Sequence, residues 1–340
     1  MARIRRILLI CFLALLIAAA GALYWSHALV QQPLRTVDDS ALFEVQRGAH
    51  ARSILTQLAE RGWLEQPDIR LNYLASRLWS APEGLQAGVY QIHNGQSLQD
   101  VWQQLRAGEQ HQFTVTLIEG QTLAQWLQVL LQHTYIDTDL VATSADSPAL
   151  IEAVTGSQAL RSLEGFLAPD TYHFYAGTEA LELLRKAYQT QQLRLAEAWQ
   201  QRAEDLPYTD SYELLIMASI IEKETGLGNE RDLVSSVFVN RLRKGMRLQS
   251  DPTTIYGITD FDGNLTRAHL RATTAYNTYR IDGLPPTPIA MPGRASLHAA
   301  AEPATSNYYY FVADGSGGHV FSETLAEHNR AVNRYQRGKN

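Results

Sequence analysis

Residues Ile7 to Trp25 are nineteen consecutive uncharged, mainly aliphatic positions. As a helix the run is about 28 Å long at ~1.5 Å per residue, close to the thickness of a hydrocarbon core, so it reads as a transmembrane helix. Arg3, Arg5 and Arg6 precede it and the next fixed charge is Arg35. That asymmetry puts residues 1–6 in the cytoplasm and the rest of the chain outside. A cleaved signal peptide is the alternative, because Ala18-Ala19-Ala20 and Ser26-His27-Ala28 offer small residues. Retention is favoured by the length of the run and by its end at Tyr24-Trp25, an interfacial pair.

Setting aside the three N-terminal arginines leaves 26 basic and 35 acidic residues, a net charge of −9. This argues against binding nucleic acid by charge. The single cysteine, Cys11, lies in the apolar run, so no disulfide can form within one chain. Neither a His-Glu-x-x-His motif nor a cysteine cluster occurs, so no metal or other cofactor is expected. The absence of Ser-x-x-Lys and Gly-x-Ser-x-Gly disfavours a serine nucleophile.

After a linker at 26–40 comes a weak internal repeat of a short strand, a glycine and an amphipathic helix. It runs from Phe43 through Gly48 to Ile54, from Val89 through Gly95 to Leu98, and from Phe113 through Gly120 to Leu123. The first two units, residues 41–112, resemble a LysM-type module, a small βααβ fold that binds N-acetylglucosamine polymers. The usual Gly-Asp-Thr turn is replaced here by Gly48-Ala49-His50, so a spacer role is the competing expectation.

Residues 113–340 read as a second, larger domain. Thr134 to Gly156 is polar and helix-poor. Glu164 to Tyr175 is crowded with Phe166, Tyr172, Phe174 and Tyr175, and aromatic faces beside carboxylates suit carbohydrate. Glu179 to Glu204 is expected to be a long solvated helix. Asp210 and Glu213 form a capping pair for a helix running to about Gly226. Its residues Leu214 to Ile221 carry no charge, which makes Glu222 unusual. A carboxyl held among aliphatic side chains loses hydration of its charged form and suits general-acid chemistry. The plainer alternative is a structural pair with Arg231 or Arg241. A second helix follows from about Asn229 to Gly245, and Asp251-Pro252 reads as a capped helix start. Pro285 to Gly293 is expected to be rigid and extended, able to wall a cleft. Tyr308 to Val312 and Val320 to Ser322 read as a hairpin about a Gly-rich turn, with Thr324 and Glu327 opening a last helix.

Several stretches together resemble the YceG-like family of endolytic murein transglycosylases. They are Ala218 to Thr225, Glu230-Arg231, Val237 to Leu242, Met246 to Thr253, Tyr256-Gly257, Glu164 to Tyr172, Ala275 to Tyr279, Gly283 to Pro286 and Phe311 to Gly315. The resemblance covers nearly everything beyond the membrane run. It implies an uncleaved single-pass plasma-membrane anchor, an α+β catalytic domain, and Glu222 as acid/base. Peptidoglycan strands are the implied substrate, cut within nascent chains so that elongation stops, and cell-wall synthases (penicillin-binding proteins) are candidate partners. Lys223 stands where lysozyme-like transglycosylases carry Ser, so no lysozyme fold is inferred.

The expected reaction has protonated Glu222 donate to the oxygen between N-acetylmuramic acid and N-acetylglucosamine. The carboxylate then takes the C6-hydroxyl proton as a 1,6-anhydro ring closes. One carboxyl serves twice. A hydrolase would need a second carboxylate about 5–9.5 Å away, for which Glu164, Glu224 and Asp251 are candidates. Further candidate site residues are Tyr172, Asn240, Gln249, Tyr256, Asn277 and Tyr279, with the two asparagines as holders of acetamido or hydroxyl groups and Asp251 as orienter of a tyrosine. The alternatives are a muramidase-type hydrolase and a membrane-anchored glycan-binding scaffold.

Overall fold

The computed structural model describes residues 2–139 and 147–338, so part of the polar stretch expected between Thr134 and Gly156 lies outside the described residues. The chain divides into two compact units. One comprises the chain up to Phe113 with His173–Gly177; the other comprises Thr114–Tyr172 and the chain from Thr178 onward.

The first unit begins with α1 (Ala2–Gln31), then β1 (Ser40–Val45), α2 (Ala51–Glu60), α3 (Ile69–Trp79), β2 (Gly88–His93) and α4 (Leu98–Ala107). α1 is long and apolar enough to cross a membrane, and its apolar stretch is uncovered by protein. It extends six residues past Trp25, into the segment expected to be a linker. Nothing interrupts the helix before Pro33, whose ring disfavours helical geometry at Gln32. The rest of the segment is not free either, since Leu34 is buried and the Leu34 N–H donates to Gln96 O.

β1 and β2 pair antiparallel from Ser40↔His93 to Val45↔Gly88, which gives the βααβ order expected of residues 41–112. Alternation along β1 turns Phe43 and Val45 inward against Ile54, Leu55, Leu58 and Trp102. Trp102 is buried, and its Nε1 donates to Ser76 Oγ at 2.9 Å, so its one polar atom is satisfied. α4 is fixed by a reciprocal capping box between Ser97 and Asp100. Ser97→Ala should therefore cost about 1 kcal/mol in chemical denaturation of the full chain.

The second unit contains β3 (Phe113–Leu117, its first residue in the first unit), α5 (Leu123–Leu131), β4 (Ile136–Asp137), α6 (Pro148–Thr155), β5 (Asp170–Phe174, its last two residues in the first unit) and β6 (Thr178–Glu179). Then come α7 (Ala180–Gln201), α8 (Ser211–Glu224), α9 (Arg231–Arg243), α10 (Asp251–Tyr256), α11 (Arg267–Arg271), α12 (Arg294–Ala301), β7 (Tyr310–Ala313), β8 (His319–Ser322) and α13 (Leu325–Val332), with a π-helical turn at Asn333–Arg337. The strand–glycine–helix repeat is present three times, as β1–α2, β2–α4 and β3–α5, with Gly48, Gly95 and Gly120 all at positive φ. At that φ a β-carbon would be strained.

α8 is the core of this unit, with every residue from Leu214 to Ile221 buried. α7 differs from expectation: it buries Leu181, Leu184, Ala187, Gln191 and Leu195, a stripe hidden in the sequence by the charges between. The extended Pro285–Gly293 segment packs inward at its centre. Ile289, Ala290 and Met291 are buried, and the backbone is satisfied on both sides. Gly120 N donates to Met291 O and Met291 N to Gln121 O, both at 2.9 Å, while Ile289 N donates to Ser219 Oγ at 3.0 Å. A buried chain with no sheet or helix partners needs such acceptors.

Candidate active site

Glu222 belongs to that support. Its Oε2 accepts from Gly293 N at 2.9 Å, three residues along α8 from Ser219, which serves Ile289 in the same way. Residues three apart share a helix face, so α8 presents both acceptors to one buried strand of chain. Arg231 Nη2 lies 3.5 Å from Glu222 Oε1 and 3.8 Å from Glu119 Oε1. The Glu222 side chain is 5% exposed and that of Arg231 11%. The aliphatic pocket expected around Glu222 is thus a charge-paired one, matching the structural alternative with Arg231.

Two residues on, the helix ends and Glu224 points the other way. It lines a cavity of about 440 Å³ with Arg241, Gln249, Asp251, Tyr279, Phe311, His319 and His328 among its walls. Burial pushes the Glu224 carboxyl up to about 7; the Ser250 hydroxyl opposes this, Asp251 adds to it, and His319 and Arg241 oppose it. Ser250 Oγ donates to Glu224 Oε1 at 2.6 Å. A carboxyl poised near neutrality in a cavity can both give and take a proton.

The opposite walls are organised around this group. Arg241 is tied down by carbonyls, with Nε donating to Tyr309 O at 2.7 Å and Nη1 to Leu248 O at 2.7 Å. His319 is held by Glu230: its backbone N–H donates to Oε1 at 3.0 Å and Nδ1 meets Oε2 at 2.8 Å. Gly318 permits this approach, because an added Cβ would stand 2.9 Å from Glu230 Oε1. Burial, then Arg241, lowers the pKa of His328.

Of the residues singled out in the sequence, Gln249, Asp251 and Tyr279 join Glu224 and Arg241 at this cavity. Asp251 accepts from the Tyr279 hydroxyl at 2.7 Å, and burial followed by that bond raises the tyrosine pKa. Gln249 holds a positive φ of 52° and its Oε1 faces Arg241 Nη1 at 3.4 Å. Asp251 opens α10 as its first residue, with Ser250 rather than Asp251 at the cap position. Tyr279→Phe removes the Asp251 bond at a cavity wall and should lower turnover about tenfold, with a stability change near 1 kcal/mol by thermal melting.

The other candidates hydrogen-bond within the protein. Glu164, 4% exposed, accepts from Leu123 N at 3.1 Å at the start of α5, and Tyr256 donates to its Oε2 at 3.2 Å. Tyr172 is buried and donates to Ala168 O at 2.6 Å. Asn240 Nδ2 donates to Ser306 O and Tyr308 O, which fixes the approach to β7. Asn277 is fully buried; its amide donates to three carbonyls, including Ala272 O at 2.6 Å, and its Oδ1 accepts from Tyr279 N and Thr254 Oγ1. Both asparagine amides thus donate to backbone carbonyls of the protein. Sequence reasoning missed Glu230, His319 and His328 because no spacing joins them. Glu224 was considered only as a second carboxylate.

The YceG-like family matches residues 43–334. An endolytic murein transglycosylase of Bacillus subtilis is 33% identical, covering 77% of this chain and 76% of its own length. That of Streptococcus pneumoniae D39 is 27% identical over 96% of this chain, which spans 64% of the pneumococcal protein. The crystal structure of a YceG-like protein from Listeria monocytogenes superposes with a TM-score of 0.54 at 27% identity, covering 86% of this chain and 98% of that one.

Proposed function

The chain belongs to the YceG-like family, and from that premise we propose that it is a lytic transglycosylase, a lyase that cuts peptidoglycan, with Glu224 as its acid/base. The observation that carries the assignment is the Glu224 carboxyl, raised to about 7 and facing a cavity with positive and aromatic walls. The relatives named endolytic murein transglycosylases support the substrate class.

Protonated Glu224 donates to the glycosidic oxygen as the bond from the muramic C1 breaks. The resulting carboxylate is accommodated by the Ser250 hydroxyl, His319 and Arg241. It then takes the proton of the muramic C6 hydroxyl while that oxygen bonds to C1, closing the anhydro ring. One group completes both transfers without a water nucleophile. Asp251, on the same cavity, orients Tyr279 and raises the Glu224 pKa. In this reading α1 spans the plasma membrane with its arginines inside, and the second unit acts outside the cell on nascent strands, ending their elongation.

Asp251 also supports a second reading. Two carboxylates in one cavity suit a muramidase-type hydrolase. Digestion of purified peptidoglycan by the full chain, with mass spectrometry of the products, separates these readings. Anhydro ends are expected. Reducing ends would move the assignment to the hydrolase, and no cleavage by folded protein would favour a glycan-binding scaffold.

A further inference from the structure

α3 is built inside out for a helix of a water-soluble unit. It buries Asn72, Ala75 and Ser76, while Leu71, Leu74 and Leu78 are 39%, 63% and 59% exposed and Trp79 is 40% exposed. At 100° per residue the three leucines fall within an arc of about 60°. An amphipathic helix ordinarily turns such a stripe into the core. The inward polar groups are satisfied, since Asn72 Nδ2 donates to Gln66 O and Asp68 O, and Ser76 accepts from Trp102. The inversion is therefore a settled packing, and the leucine face is left over.

The position of α3 against α1 identifies what covers that face. Trp79 Nε1 donates to Ser26 Oγ at 3.0 Å, and its ring meets His27 edge-on at 5.0 Å. Ala75 packs with Leu29 and Val30, and Gln32 Nε2 donates to Asn72 Oδ1 at 2.6 Å. α3 thus runs back along the last turns of α1, with Trp79 nearest the membrane. The membrane-crossing helix, Arg3–Gln31, has 29 residues. That length is about 43 Å, against a hydrocarbon core of ~30 Å and ~40–45 Å with headgroups. With Ile7 to Trp25 filling the hydrocarbon, residues 26–31 stand in the headgroup layer, and α3 stands beside them. Arg70 and Arg77 are exposed along one border of the leucine arc, and α3 contains no acidic residue. Leucines, a tryptophan and flanking arginines are the composition of an interfacial helix on an anionic surface.

We propose that the Leu71–Leu74–Leu78 face of α3, with Trp79, is a second membrane contact that seats the first unit in the lipid headgroup layer. The inference rests on α1 spanning the bilayer, and the test separates the two. Full-length Cys11→Ser protein is given one cysteine at a time, Leu74→Cys, Leu78→Cys, Tyr24→Cys or Glu60→Cys, and labelled with an environment-sensitive fluorophore. It is then reconstituted in nanodiscs containing phosphatidylglycerol. Emission is read with nitroxide-bearing lipid or with aqueous iodide as quencher.

Labels at 74 and 78 should lose about half their emission to nitroxide lipid, as at 24, and resist iodide, while the label at 60 on α2 shows the reverse. Quenching at 24 with iodide access at 74 and 78 would overturn the α3 contact alone. Protection of 74 and 78 from both quenchers would overturn it in favour of a protein, or a second copy, on this face. No nitroxide quenching at 24 would overturn the span and the contact together.

Discussion

Glu224→Gln should remove glycan cleavage by a factor of about 10²–10⁴ in turnover, because an amide of the same shape can neither give nor accept the proton. Glu222→Gln is the control that gives this result its meaning. It keeps an acceptor for Gly293 N but weakens the Arg231 pair, so its loss should appear first in stability. The reverse outcome, with an active Glu224→Gln and a folded but inactive Glu222→Gln, would return the chemistry to Glu222. Turnover of the native chain should fall as pH rises through about 7, where Glu224 loses its proton.

The same raised pKa has a stability signature of known sign. The folded state holds the Glu224 proton from the ordinary carboxyl value of 4.5 up to about 7, whereas the unfolded chain releases it near 4.5. Between those values folding takes up a proton, so this contribution to stability is complete below pH 4.5 and is lost as pH approaches and passes 7. Above pH 7 the Gln variant should melt higher than the native protein. The difference should be on the order of 1–3 kcal/mol, after allowance for partial exposure.

Arg231→Ala should destabilise the second unit by about 3–5 kcal/mol, because it strands the Glu222 carboxylate in a site with 5% exposure. Glu119, half exposed, then adds repulsion where it had shared the arginine. Thermal melting of the full chain measures the loss. Adding Glu222→Gln to Arg231→Ala should recover much of it, since the uncompensated charge is gone, and the resulting double-mutant cycle gives the coupling directly. If the two substitutions destabilised additively, Glu222 and Arg231 would not be the coupled pair described above.

The sequence carried the apolar run, the strand–glycine–helix repeat, the βααβ order and the β7–β8 hairpin, because each rests on local periodicity or turn chemistry. It also carried α8 and the presence of an exceptional carboxylate on it. What it could not carry was the direction of that helix. Glu222 and Glu224 are two residues apart, about 200° around the axis, and only tertiary packing decides what each of them meets. Leu214 to Ile221 are apolar all round, so no polar stripe marked the outer face. Glu164 and Asn277 carry a related ambiguity. Polar side chains that serve buried backbone have the composition of a binding site, and they are told apart only by where their partners lie. The Glu230–His319 pair joins residues 89 apart and leaves no local trace.

α1 has no joint. It runs unbroken from the stretch that is apolar enough to cross a membrane into the first unit, where Leu29 and Val30 are already part of the packing. Whatever tilts the membrane helix therefore tilts the whole of that unit, as a mast carries its crosspiece. A thicker or thinner bilayer would re-aim the unit without changing a single internal contact. A flexible Gly-Ser insertion after Ser26 would uncouple the two.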